Sequence, residues 1–255
     1  MRYTVVKVIP FAHTLEPEVE FGADERVFVW GSLTLDGIAK ERGWIPGCLQ
    51  NENFDMRVLK EKYGRNFLNE DAEFCTFGEL QFTEPMFVRP VHDTKTFTGT
   101  VIQPEELIEW KEQVLNLSNT GYSSLRPETP VMFAKPKKVD FEARFFIVDK
   151  QVITGSSYRS FGNVVYNRLE GNGLFLAEMD FARQMAWHEI ADGYALDIAL
   201  VDGKPKVIEV NCINSAGFYS CDMNAVVRAL EGWDTGNVRQ LAWINSQRTI
   251  LSNDF

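Results

Sequence analysis

Two apolar stretches joined through Asp-Gly-Lys, YALDIALV (194–201) and PKVIEVN (205–211), constrain the fold of this 255-residue chain more than any other feature. Each is short, rich in Val, Ile, Leu or Ala and bounded by turn residues, the pattern of a strand pair. Yet Asp197 interrupts the first, and Glu209 and Asn211 occupy alternate positions of the second. Side chains two apart on a strand share a face. If Asp202, Gly203 and Lys204 form a three-residue loop, Val201 pairs with Pro205 and Asp197 stands opposite Glu209. Asn211 then lies two steps further on, and both acids share a face with Ala199 and Val207. A two-residue loop would send Asp197 to the other side of the sheet. Two carboxylates ~4 Å apart repel by roughly 4 kcal/mol at an effective dielectric of about 20, so such a pair needs a proton or a cation. Two carboxylates and a carboxamide oxygen are hard ligands that suit Mg2+ or Mn2+, and Mg2+ keeps water and phosphate in its shell. A metal–nucleotide site is one reading. A solvated strand face carrying a chance Asp and Glu is the other.

The rest of the chain narrows the setting. Hydrophobic residues at 45% and charged residues at 24% describe a soluble, folded chain long enough for a substantial core. No apolar run approaches the ~20 residues that cross a bilayer, and the first twenty residues turn acidic too early for a secretion signal. Cys48, Cys75, Cys212 and Cys221 form no CxxC pair, which points to a reducing, cytoplasmic location. The net charge of -10 disfavours nucleic acid as a partner while leaving room for a local basic pocket.

Along the chain, VFVW (27–30) reads as a strand, with Ser32 capping a helix through LTLDGIAKERG. WIPGC (44–48) reads as a turn, and NENFDMRVLKEKYG as a helical stretch closing at Gly64. A boundary is expected near Phe82–Pro85. Beyond it come strands at MFVRP (86–90) and within VHDTKTFTGTVI, then an amphipathic helix, QPEELIEWKEQVLNLS, with Leu107, Trp110, Val114 and Leu117 in a stripe. VMFA (131–134), FEARFFIV (141–148) and QVITG read as strands, FLAEMDFARQMAWHEIADG as a helix ending near Gly193, and MNAVVRALEG and NVRQLAWINSQ as short helices. Strands outnumber helices and come as hairpins, which favours an α+β fold.

ALDIAL, the acid of IEVN and the following NSAG resemble the metal-binding hairpin of the ATP-grasp superfamily, ATP-dependent carboxylate–amine or carboxylate–thiol ligases. FEARFFIV resembles the E-x-R strand of the branch related to ribosomal-protein glutamate ligases. MFVRPVHDTKTFTG, SSYRS and NSAGFY look closest to a phage- and conflict-associated clade of that branch. The resemblance covers about residues 86–222. It implies an ATP-grasp fold, two α+β lobes clasping ATP, over 85–255 (small lobe about 85–135, large lobe about 136–255), preceded by a small α/β unit over 1–84. It implies that Asp197, Glu209 and Asn211 hold Mg2+ or Mn2+ against the ATP phosphates. Arg144 would meet the terminal phosphate or an acyl-phosphate, with Glu142 orienting it or touching the nucleotide. The superfamily's phosphate-binding Lys is missing from the early strand, which ends in Arg89-Pro90, so Arg89 and Lys95 become the phosphate candidates. Met132, Phe133 and Ala134 would form the adenine hinge, although Met132 and Phe133 serve equally as core. Arg159, and less strongly Tyr158, would contact substrate or phosphate. The small residues Ser215, Ala216 and Gly217 would admit an acceptor.

The activity implied is a ligase. ATP phosphorylates a carboxylate, and an amine, borne by a small molecule or by a peptide or protein, attacks the acyl-phosphate. A kinase on the same scaffold and a non-catalytic nucleotide-binding interaction protein are the rivals. No nucleophilic triad, zinc-type cluster or Walker sequence is present, and His13, His92 and His188 are scattered.

Overall fold

The computed structural model describes residues 4–9, 12–49, 54–92, 96–117, 124–171 and 173–234. The chain divides into two compact units, one of Met1–Glu52, Ala143–Asp197 and Val210–Phe255, the other of Asn53–Glu142 and Ile198–Glu209. Helices and sheets are mixed, and the fold is α+β.

The first unit begins with an antiparallel pair, β1 (Lys7–Ile9) and β2 (Thr14–Glu16). A β–α–β segment follows: β3 (Arg26–Phe28), α1 (Leu33–Glu41) and β4 (Ile45–Gly47), with β3 and β4 parallel. Ser32 caps α1, its hydroxyl accepting the Leu35 N–H at 3.3 Å. Leu35, Ile38 and Ala39 form the buried stripe of α1, against Leu15 and Val29. WIPGC is thus not simply a turn. Ile45–Gly47 is extended because β3 offers it a ladder, and that pairing overrides its turn-like composition.

The second unit opens with α2 (Met56–Tyr63), capped by the Asp55 carboxylate on the Arg57 N–H and ended at Gly64 (φ +50). Its sheet contains β5 (Glu73–Thr76), β6 (Met86–Pro90), β7 (Thr100–Ile102) and β8 (Pro130–Ala134), ordered β5-β8-β6-β7 and antiparallel throughout. Helix α3 (Pro104–Leu117) covers it, burying Leu107 and Val114 with Phe77, Val88 and Val131. Trp110 meets Phe77 edge-on at 4.7 Å. The boundary expected at 84/85 falls inside this unit, since β5 lies before it and pairs with β8 beyond it.

The remaining strands are β9 (Phe141–Val148), β10 (Gln151–Ser160), β11 (Asn163–Arg168), β12 (Gly193–Val201) and β13 (Lys204–Cys212), in the order β11-β10-β9-β12-β13. Two helices accompany them, α4 (Leu176–Met185) and α5 (Met223–Asp234). α4 stops eight residues short of the expected Gly193. A single 3-10 turn, Ala186–His188, follows it, and Glu189 adopts φ +51, which no helix continues. Within the first unit, Phe146, Val148, Ala195, Ile213, Val226 and Leu230 form a core against which Phe28, Trp30 and Leu49 of the N-terminal segment pack. The Gly31 N–H donates to the Asn214 carbonyl at 3.0 Å, and Arg26 Nε donates to Asp234 at 2.8 Å. None of the described helices is long and apolar enough to cross a membrane.

The β12–β13 turn differs from the three-residue loop of the sequence reading. Only Asp202 and Gly203 lie outside the strands, at φ +50 and +71. Positive φ at both central residues is the geometry that matches strand twist, and Asp-Gly adopts it readily. On β13 Val207 and Val210 are buried, with Ile208, Glu209 and Asn211 partly buried.

Candidate functional site

The centre of the site in the first unit is Arg144, on β9. It is 7% exposed, and its neighbours Ala143 and Phe145 are fully buried. A cation there needs an anion. Nε and Nη2 donate to the two carboxylate oxygens of Asp197, each at 2.7 Å, and Asp197 is itself 2% exposed. Burial works to lower the guanidinium pKa, but the hydrogen bonds and charge of Asp197 outweigh it, and the group stands above the ordinary arginine value. Nη1 donates to the Gly217 carbonyl at 3.4 Å. The Asn211 carboxamide lies 3.3 Å from Asp197 Oδ2, so both residues meet on one face despite the short turn.

Over the guanidinium lies Tyr219, 5.2 Å from its centre, with Tyr158 at 6.0 Å. Tyr158 and Tyr166 both stack on Tyr219, at centroid distances of 5.0 and 5.3 Å. Tyr219 adopts φ +50, a costly conformation for an aromatic residue. Small polar residues of β10 hold its turn: Ser156 Oγ accepts the Ser220 N–H at 3.1 Å, and Thr154 Oγ1 accepts that of Asp222 at 2.8 Å. Gly155 between them has Phe145 so close that a Cβ would sit 2.6 Å from its ring. The sequence reading assigned nothing to Tyr219 or Tyr166. The unusual run Thr-Gly-Ser-Ser inside a strand was the available signal.

In the second unit, Arg89 Nη1 lies 2.7 Å from Glu209 Oε2. Its Nε is buried with no hydrogen-bond acceptor among the described residues. Arg89 faces Met132 across the β6–β8 ladder. Met132 and Ala134 are buried, and Phe133 packs partly into the core. Phe133 lies between Glu73 and Val88, so its backbone belongs to the sheet. Glu142 is half-buried, and Arg144 makes its bidentate bond to Asp197 rather than to it. Lys137 pairs with Asp71, and Lys135 lies 3.7 Å from Glu84. Lys95 and Asp93 lie outside the described residues, as does NVRQLAWINSQ. Arg159 is exposed and, being adjacent to Tyr158 on the strand, points to the other face. Ala216 is buried and Gly217 exposed, and the Ser32 helix start is occupied by its own cap.

Among the described residues no three His, Cys, Asp or Glu side chains converge as a metal cluster. The trio from the sequence contains only two carboxylates, and each has an arginine partner: Asp197 with Arg144, Glu209 with Arg89. Hard oxygen donors matched by cations are chemically compatible with a metal–phosphate pair, in which carboxylates take the metal and arginines the phosphates.

A family model described as an ATP-grasp domain of R2K clade family 2 matches residues 67–229. The chain belongs to this ATP-grasp family. No curated protein sequence matches it. Among solved structures, the ATP-grasp chain is similar to a D-alanine–D-alanine ligase from Bacillus anthracis, at TM-score 0.53 and 16% identity over 86% of this chain and 76% of that one. The same ligase complexed with ATP gives TM-score 0.51 and 20% identity over the same shares. The ATP-grasp ligase PsnB complexed with a minimal precursor gives TM-score 0.44 and 15% identity over 72% and 60%. At these identities the likeness is one of fold, and the ATP-grasp fold expected from the sequence is the one observed.

Proposed function

We propose that this ATP-grasp protein is an ATP- and Mg2+-dependent carboxylate–amine ligase whose acceptor is a peptide or protein. The observation that carries the reading is the buried Arg144–Asp197 pair with Asn211 beside it. A buried ion pair is a weak source of stability, and a well-packed apolar pair of equal volume often serves as well. Its presence among aliphatic strand residues therefore favours a role in handling charge. Family membership supports ATP as the nucleotide, and the D-alanine–D-alanine ligases that share the fold perform the class of chemistry proposed.

In this reading Asp197, Glu209 and Asn211 would hold the divalent cation, which supplies neutralisation of phosphate charge. Arg144, and Arg89 with Lys95, bind and orient phosphate oxygens. Phosphoryl transfer from ATP to a carboxylate gives an acyl-phosphate and ADP. The amine then adds to the acyl carbon, phosphate leaves, and the amine loses a proton. Arg144 suits the terminal phosphate because it stays charged at any working pH, and the tyrosines over it exclude water, which strengthens its field. Met132, Phe133 and Ala134 line the adenine side, and Glu142 orients the nucleotide. Arg159, on the face of β10 away from Tyr158 and Arg144, takes no part at the acyl-phosphate in this reading.

The test is ADP formation from Mg-ATP with mixtures of carboxylic acids, amines and peptides, with product mass analysis. An amide product is expected. A stable phosphomonoester would replace the ligase by a kinase, and ATP binding without any turnover would leave a nucleotide-binding module. Glu209→Gln should lower turnover at least about tenfold and weaken Mn2+ binding in the presence of ATP.

A further inference from the structure

We infer that a cavity in the first unit, between the N-terminal segment and α5, is a binding site for an organic ammonium ion, a primary amine on an apolar body. The inference stands apart from the ligase reading, because it uses neither Arg144 nor ATP. The cavity has a volume of about 820 Å³ and takes its walls from residues 4–49, from Ile213 and Asn214, and from α5. Every lining residue belongs to the first unit. Sites for small organic molecules are concave, of about 300–1,000 Å³, mostly apolar and furnished with a few placed polar groups. This cavity has that size and that composition.

The walls supply the apolar part. Val27 lies on β3, with Val29 and Trp30 just beyond it, Trp44 and Leu49 flank β4, and Leu230 comes from α5. Val29 belongs to the core built around α1 and Leu230 to the core built from β9, β12 and α5, so the cavity opens where two packed clusters meet. An apolar body placed there leaves water for a surface already lined by aliphatic and indole groups.

Charge sets the sign of the ligand. Four carboxylates, Glu20, Glu25, Glu231 and Asp234, line the cavity with one cation, Arg26. Arg26 is already engaged by both carboxylate oxygens of Asp234, so it is matched before any anion arrives. Glu25 accepts the Gly22 N–H at 2.8 Å, a neutral donor that leaves its charge in place. The nearby guanidinium of Arg42 is paired with Glu18 and does not offset these acids. The net charge of -10 on the chain adds to the same field, which draws cations and turns carboxylates away.

Asn214 adds a specific acceptor. It lines the cavity and is 2% exposed, and its Oδ1 is buried with no hydrogen-bond partner among the described residues. A buried acceptor left unpaired is costly. An ammonium brings three donors and no acceptor, the complement of an acidic rim and an orphaned carboxamide oxygen, whereas a carboxylate brings no donor at all.

The probe is 4-phenylbutylamine, titrated into the full chain without ATP and followed by quenching of tryptophan fluorescence, since Trp30 and Trp44 stand in the cavity wall. 5-Phenylpentanoate carries the same body with the opposite charge, and butylamine carries the charge without the ring. The aromatic amine should bind at least about tenfold more tightly than either, and its affinity should fall as salt rises. Val5 lines the cavity and is 77% exposed, so a charge can be placed there without disturbing a core. Val5→Arg should keep Tm and weaken 4-phenylbutylamine about tenfold, whereas Val5→Glu should keep or tighten its binding, a split that loss of structure would not produce. No saturable binding of the amine, equal binding of 5-phenylpentanoate or butylamine, or unchanged affinity in Val5→Arg overturns the inference.

Discussion

A guanidinium and a carboxylate, both all but removed from water, need each other more than the protein needs the pair. Arg144→Met should leave the Asp197 carboxylate buried without its bidentate partner, and removal of one member of a buried pair costs roughly 3–5 kcal/mol. Urea unfolding should show a lower midpoint at unchanged slope, and the double variant Arg144→Met/Asp197→Leu should recover much of the loss. A single variant as stable as the parent would mean that Asp197 finds another partner. The arginine pKa is raised, so its contribution is complete below the ordinary arginine value and is lost only above it, beyond any working pH. Thiol chemistry offers a second check at this scale. Burial pushes Cys48 and Cys221 up to about 12, so both should alkylate slowly at pH 8 in the folded protein and quickly in urea. The sequence made Arg144 and Asp197 legible as charges that interrupt apolar strands. It hid their partnership, which depends on strands far apart in sequence lying side by side.

Elements were legible where a local signal matched their final surroundings. Ser32 and Asp55 cap the helices that follow them, and the Leu107–Val114 stripe faces the core. The Asp55 carboxylate is raised by burial but lowered further by hydrogen bonds from Arg57, leaving it below the usual range. A depressed carboxylate contributes stability that is full above its unfolded value and fades as pH falls through the folded one. Asp55→Ala should therefore cost about 1 kcal/mol near neutrality. Asp55→Asn should keep much of the cap yet flatten part of the loss of stability below about pH 4, as followed by denaturant midpoints across pH. Signals failed where tertiary pairing decided. Ile45–Gly47 reads as a turn until β3 is beside it, and α4 ends where Glu189 turns left-handed rather than at the next glycine. The β12–β13 turn was recognised but counted one residue too long. Asp197 and Asn211 nevertheless meet at 3.3 Å.

At the scale of the whole molecule, the N-terminal third is shared between two units rather than standing apart. Met1–Glu52 belongs with one of them, where Phe28, Trp30 and Leu49 cover a core built from β9, β12 and α5. The stretch from Asn53 belongs with the other, where β5 pairs with β8 along Glu73↔Phe133 to Thr76↔Pro130, and Met56 N–H donates to the Val91 carbonyl. Composition changes little across residue 84, so no sequence signal marks this sharing; only the pairing of distant strands reveals it. A chain beginning at residue 85 would lose both contributions. It would expose an apolar core face in the first unit and leave one edge of β8 unpaired in the second, the conditions for aggregation through strand edges. Such a chain should show no cooperative thermal transition by near-ultraviolet circular dichroism and should be recovered largely as aggregate. The full chain should unfold cooperatively. Recovery of the shortened chain as a soluble species with the parent's transition would mean that residues 85–255 fold without residues 1–84.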